Sequence, residues 1–472
     1  MRPEGPTPAH QRPPRGRRPA RLAVAGLWLM VLGGMLPNPV GAQGQVLRVV
    51  MRLSPASHLP YRDFPLTLED ALVQRFTAYL QADLKIRTAD DAREALSRLG
   101  ESADMAALGT LPQADLQATA LPGPAFLEIH PRVVYCAGNR RPDRLDSLKS
   151  ASVRVGAGTW HEDLAHTAGL APQIAHAGRD IPARLRDLVR TRTGYALGDQ
   201  HELLLLQRVL PGLRPVLGFG ENGQLRWWFA DTPRGRRLRE RAEDFFTDLR
   251  ASGELDRLID AHLAHVYDFN PGAAVTFMER VRKRLPRFLP LFREGAKRSG
   301  LDWHLLAAVA YQESHWDPKA VSPTGVRGLM MLTEDTAQQM AVDDRVHPGK
   351  SLHAGAAYLL RVKRKIPSRI PEPDRTWMML AAYNLGFGHL EDARILAQRA
   401  GASPDRWLEV RPYLFRLDDP GCEQLKRGCY KGGEGAVYVR RIRNYLEALV
   451  WLDASGWLWE IPALAALRAS DT

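Results

Sequence analysis

Glu313 stands just after an apolar run, Leu305 to Tyr311, of the kind that a buried helix supplies. Trp303, Leu306, Val309 and Ala310 recur at helical spacing and mark one stripe, and Glu313 falls on the same side. Asp302 is placed to cap this helix by accepting a backbone N–H of its first turn. Asp317-Pro318 is expected to end it, because a residue before proline is biased out of helix. A carboxyl at such an end, half enclosed at the edge of a cleft, loses hydration. That disfavours its charged form and raises its pKa, which suits a general acid near neutral pH. The same features fit a structural carboxyl hydrogen-bonded to a neighbouring loop, so spacing alone leaves both readings open.

Three ordered motifs surround this acid. They are Gln312-Glu313-Ser314-His315-Trp316, then Ser322-Pro323-Thr324-Gly325-Val326-Arg327-Gly328-Leu329-Met330-Met331-Leu332, then Ala381-Ala382-Tyr383-Asn384 with Gly386 and Gly388. Together they resemble the goose-lysozyme-like lytic transglycosylases, most closely the membrane-bound F type. The resemblance implies a mainly α lysozyme-like domain over residues 271–472. It implies peptidoglycan glycan strands as substrate, cut at the β-1,4 bond between N-acetylmuramic acid and N-acetylglucosamine. Glu313 would be the catalytic acid. Ser314, Gly328, Leu329, Met330, Tyr383, Asn384 and, from a later helix, Tyr438 would contact substrate. Met331 stands where many relatives carry Gln. Gly325 and Gly328, lacking Cβ, would let the backbone approach the sugar closely.

Glycosidases that use water generally need two carboxyl groups, and this region offers a single well-placed one. In the family the muramyl 6-hydroxyl replaces water, leaving a 1,6-anhydromuramyl end, with no metal or organic cofactor. His347 and His353 do not share a helix face and have no carboxylate to complete a site, so no metal centre is expected. Two rival readings remain: a hydrolysing muramidase, and a solute or muropeptide receptor whose lysozyme-like half only grips glycan.

The chain that must position these residues has 472 of them, enough for two or more domains. Residues 1–42 carry six arginines against Glu4 alone, which accounts for five of the twelve net positive charges. The apolar run Leu22–Leu36 follows, then Val40-Gly41-Ala42, so this segment reads as a cleavable signal peptide. Export to the periplasm and peripheral contact with the outer membrane follow from the resemblance. No basic-aromatic pattern points to nucleic acid. Cys422 and Cys429 can close a short disulfide loop in an oxidising compartment, and Cys136 reads as a buried strand residue.

Residues 45–268 alternate strands (45–53, 85–87, 105–108) with helices (68–83, 89–99), the mark of α/β lobes. A second lobe is expected from about Ser152, through Val153-Arg154-Val155-Gly156-Ala157-Gly158-Thr159 and the strand Tyr195–Leu197. The order resembles the two-lobed periplasmic solute-binding proteins that take amino acids. That resemblance makes Thr159 and Asp199 candidate ligand contacts, for a cell-wall peptide or amino acid acting as a regulator. Leu116 stands where those proteins carry an arginine. Gly156 and Gly158 are equally a tight turn, and Asp199 a cap. Asp268-Phe269-Asn270-Pro271-Gly272 marks the boundary. Beyond it residues 275–300 read as helical, with Phe277, Val281, Phe288 and Phe292 buried and with Pro286 and Pro290 kinking or splitting the helix.

Overall fold

The computed structural model describes residues 45–170, 181–266 and 270–469; the expected signal peptide lies outside them. Among the described residues no helix is long and apolar enough to cross a membrane. Their strands are β1 (Val46–Arg52), β2 (Asp83–Ala89), β3 (Met105–Ala107), β4 (Leu121–Ile129), β5 (Pro131–Cys136), β6 (Val153–Arg154), β7 (Tyr195–Asp199), β8 (Leu213–Gly218) and β9 (Gly223–Phe229). They form two sheets, ordered β2-β1-β3-β9-β4 and β6-β7-β5-β8. The chain passes from the first to the second between β4 and β5 and returns between β8 and β9. The two-lobed α/β expectation holds.

Two details differ. The second lobe begins at Pro131 rather than near Ser152, because β5 pairs with β7 and β8. β4 pairs antiparallel with β9 although it opens Leu-Pro-Gly-Pro. β4 is the edge strand, where a proline without N–H leaves no ladder bond unmade. The first helix, Leu68–Tyr79, stops before the expected Asp83, since the Asp83 N–H bonds the Gln45 carbonyl and opens β2.

Past Asn270, whose side chain caps the helix Pro271–Lys283, the chain is helical. Phe277, Val281, Phe288 and Phe292 are all buried, as the pattern predicts. The break falls at Arg284. Pro286 lies in the first turn of the next helix, Leu285–Ser299, where its missing N–H has no partner to lose. Pro290 sits inside that helix without splitting it. The helix Trp303–Ser314 starts on Asp302, which accepts the His304 N–H at 2.7 Å. It is buried on every side from His304 to Tyr311, because helices such as Leu285–Ser299 and Gly433–Ala454 pack around it. It is therefore a core helix, not an amphipathic one. A disulfide joins Cys422 to Cys429, and Cys136 is buried in β5.

One apolar core runs from the second lobe (Val134, Leu185, Leu206) into the helical half (Phe277, Leu305, Leu449). Beside it lies a buried charged seam. Arg208, from the end of the second lobe's Gln200–Leu206 helix, donates to Glu447 on the helix Gly433–Ala454. The Glu447 carboxylate also lies 2.9 Å from His265 Nε2. Burial pulls His265 down to about 3, so the imidazole is neutral, while the two arginines nearby and the hydrogen bond to His265 hold Glu447 far below the usual carboxylate range against its own burial.

Candidate active site

Glu313 lies in the last turn of the Trp303–Ser314 helix. Asp317-Pro318 does not end that helix. His315 (φ 52°) and Trp316 (φ 56°) end it, two consecutive left-handed residues that are not glycine. The His315 N–H closes on the Tyr311 carbonyl at 2.8 Å, and the buried Trp316 indole donates back to the Ala307 carbonyl at 2.8 Å. Such backbone costs of order 1–3 kcal/mol per residue and persists only where packing dictates it. Packing of Trp316 against Phe277 and Tyr311 supplies that constraint.

The Tyr438 hydroxyl donates to Glu313 Oε1 at 2.5 Å. Burial pushes the Glu313 carboxyl up to about 7, and the Tyr438 bond opposes this. Neither a cation nor a second carboxylate contributes to the shift. Glu313 thus holds its proton about half the time near pH 7 and exchanges it there, the property required of a group that gives a proton and takes one back.

Tyr438 belongs to the helix Gly433–Ala454. That helix approaches Asp374–Leu385 so closely at Gly435 that a Cβ there would stand 2.2 Å from Leu385 Cδ2. The close approach brings Tyr438, one turn on, to the acid. Asn384 is exposed at the end of the neighbouring helix, beside Gly435. Tyr383 does not bond Glu313: its hydroxyl donates to the Met330 carbonyl at 2.9 Å, and burial, then the Glu313 charge, raises its pKa. Replacing Tyr438 with Phe removes the bond that favours the carboxylate. The Glu313 pKa then rises by roughly 1–2 units, the equivalent of about 1.5–3 kcal/mol. The alkaline limb of the pH–rate profile is expected to move up by that amount; an unmoved limb would show that the bond does not act on the ionising group.

The strip after Glu313 is built differently from the expectation. Ser314 is buried, its hydroxyl donating to the Leu329 carbonyl at 2.9 Å and accepting the Asp317 N–H at 3.2 Å. It pins the strip to the helix and is not placed for sugar. The side chains of Leu329 and Met330 are fully buried, with Met330 packed onto Gly355, so only their backbone is available to a ligand. Gly328 (φ 89°) lacks a side chain for the chain's own sake: a Cβ would stand 1.9 Å from the Arg345 carbonyl. Gly328→Ala is expected to lower stability by more than about 1 kcal/mol, read from urea denaturation; Gly325→Ala, with open space around it, should pay only for its φ of 80°.

The candidate ligand contacts of the first half are closed off. Thr159 is buried, its hydroxyl donating to the Gly156 carbonyl at 2.8 Å. The Gly158 N–H, at the helix start where a ligand carboxylate was expected, meets Glu162 Oε2 at 3.2 Å. Asp199 is fully buried, accepting from Thr110 at 2.6 Å and lying 3.2 Å from His161 Nε2. Arg52, from the first lobe, donates to Glu202 of the second at 2.8 Å. Leu116 packs near Gly158. The seam between the lobes is thus filled by the chain's own polar groups. Nothing in the local sequence distinguishes Glu162 from an ordinary first-turn acid, so this substitution was not readable there.

The chain is similar to known proteins over most of its length. The family model "Transglycosylase SLT domain" matches residues 290–404, which include Glu313 and Tyr383-Asn384. A membrane-bound lytic murein transglycosylase F of Alcanivorax borkumensis is 37% identical over 448 residues, 92% of this chain and 94% of that relative. The protein of the same name from Ectopseudomonas mendocina is 36% identical over 445 residues, 91% of each. Among solved structures, an amino acid ABC transporter substrate-binding protein of Streptococcus pneumoniae, bound to L-arginine, covers 48% of this chain and 97% of its own, with 14% identity and a TM-score of 0.42. On identity and coverage with its relatives, the chain belongs to the family of membrane-bound lytic murein transglycosylases F.

Proposed function

We propose that this chain cleaves peptidoglycan as a lytic transglycosylase, with Glu313 as both acid and base. Glu313 gives its proton to the oxygen between N-acetylmuramic acid and N-acetylglucosamine as the bond to the anomeric carbon breaks. The substrate's acetamido group supports the positive charge at that carbon. The Glu313 carboxylate, favoured by the Tyr438 hydroxyl, then takes the proton of the muramyl 6-hydroxyl as its oxygen bonds the same carbon. The acid is restored and a 1,6-anhydromuramyl end leaves. Asn384, exposed beside the acid's helix pair, holds a sugar substituent, and the backbone of Gly328, Leu329 and Met330 lines the sugar path. Tyr383 acts through the Met330 carbonyl as a positioning residue.

The observation that carries this reading is Glu313 itself, buried at the end of its helix, bonded by the Tyr438 hydroxyl and raised to about 7. A hydrolase would generally pair such an acid with a second carboxyl group that activates water. Mass spectrometry of sacculi digested by the purified protein tests it: anhydro ends are expected, and reducing ends throughout would make it a muramidase. A peptide or amino acid between the lobes would have to displace Glu162 from Gly158 and open the Arg52–Glu202 pair. Export by residues 1–42 and peripheral attachment to the outer membrane in the periplasm complete the reading; the relatives' name is that of membrane-bound proteins.

A further inference from the structure

Where the first lobe meets the helical half there is a cavity of about 390 Å³. The helix Glu254–Leu263 forms one wall. The start of the helix Asp374–Leu385, the segment 403–409 and Arg443 form the other. The volume is that of a small-molecule site, and Pro373 and Leu408, both partly exposed, give it apolar surface beside the buried Trp377 and Trp407.

Its charged groups are of two kinds. Glu254 is claimed by Arg75 at 3.1 Å and Arg257 at 2.9 Å, and Asp405 by Arg369 and Arg394, each at 2.7 Å. These pairs are complete. Arg443 and Asp374 are not. Arg443 is 7% exposed and lies 4.8 Å above the Trp377 ring. It donates once, to the Ala261 carbonyl at 2.8 Å, and its Nε has no hydrogen-bond partner among the described residues. Glu447 is 3.7 Å away, but that carboxylate is already held by Arg208 and His265. Asp374 accepts the Trp407 N–H at 2.7 Å, and burial raises its pKa. A buried guanidinium with unmet hydrogen-bonding capacity is costly, and a carboxylate acceptor is the partner that its planar fork fits.

We propose that this cavity is a binding site for a small aromatic carboxylate, its ring against Pro373 and Leu408, its carboxylate on Arg443 and an N–H donor on Asp374. The site also touches both helices of the catalytic pair. Asp374 opens the helix that ends at Tyr383-Asn384, and Arg443 follows Tyr438 on the other. Binding does not depend on the lytic reading, so calorimetry reports on it even if Glu313 proves not to be the acid.

The test is titration of the mature full chain with indole-3-propionate and with its uncharged amide. The acid is expected to bind at least roughly tenfold more tightly than the amide. Arg443→Gln should make the two equal. Leu408→Trp, which fills the cavity from a partly exposed position, should remove binding with the melting temperature unchanged. Absence of heat with the acid, equal binding of acid and amide to the unaltered chain, or binding that survives Leu408→Trp would each overturn the assignment.

Discussion

Glu313→Gln is expected to lower glycan cleavage by at least about a thousandfold, since general acid–base groups contribute some 10²–10⁴ and here one group serves both steps. The folded chain should meanwhile become more stable at alkaline pH. The carboxyl sits at about 7 in the fold against its ordinary value of 4.5. Below pH 4.5 it is protonated in folded and unfolded chains alike and contributes no difference. Between 4.5 and 7 the unfolded chain releases a proton that the native state retains, so native stability falls as pH rises. Above 7 the full penalty, roughly 3 kcal/mol, applies. The amide carries no charge and escapes it. Melting curves of the two proteins are expected to coincide near pH 4.5 and to diverge by pH 8 in favour of Gln. If turnover were unchanged in the variant, the receptor reading would replace the enzyme; if the melting curves coincided at every pH, the carboxyl would not be buried as described.

Arg208→Ala should destabilise the chain by about 3–5 kcal/mol, the usual result of leaving one member of a buried ion pair behind. Glu447 is buried with its carboxylate held by Arg208 and His265, and His265 is neutral, so Arg208 supplies a full charge that the imidazole cannot replace. Because partners hold Glu447 low, its stabilising contribution is complete above the ordinary carboxylate pKa and is lost only in strong acid, as pH falls through the folded value. The deficit of the variant should therefore persist from pH 5 to 8 and shrink in acid. Replacing both partners with apolar groups, Arg208→Met with Glu447→Leu, should recover most of the loss. Urea denaturation of the three variants measures this, and a double variant no better than the single one would show that the seam stabilises through packing alone.

Much of this protein was legible in the residues themselves. Alternation of short strands and helices reports burial on one or two faces, so the α/β lobes followed from local pattern. The cap at Asp302 did as well, since it accepts an N–H from its own first turn. The acid was identified by its neighbours in sequence, and its raised pKa by its place at the end of an apolar run. Only the tertiary structure decided the rest. That β4 is a strand depends on its edge position, which its prolines cannot announce. The helix end at His315 depends on where Trp316 packs. Tyr438, rather than Tyr383, reaches Glu313 because Gly435 lets two helices close on each other, a contact between residues fifty apart. Glu162 meets the Gly158 N–H for the same reason. Residue types and short-range spacing set what chemistry is available, and distant contacts, which local periodicity does not encode, set which group each side chain finally meets.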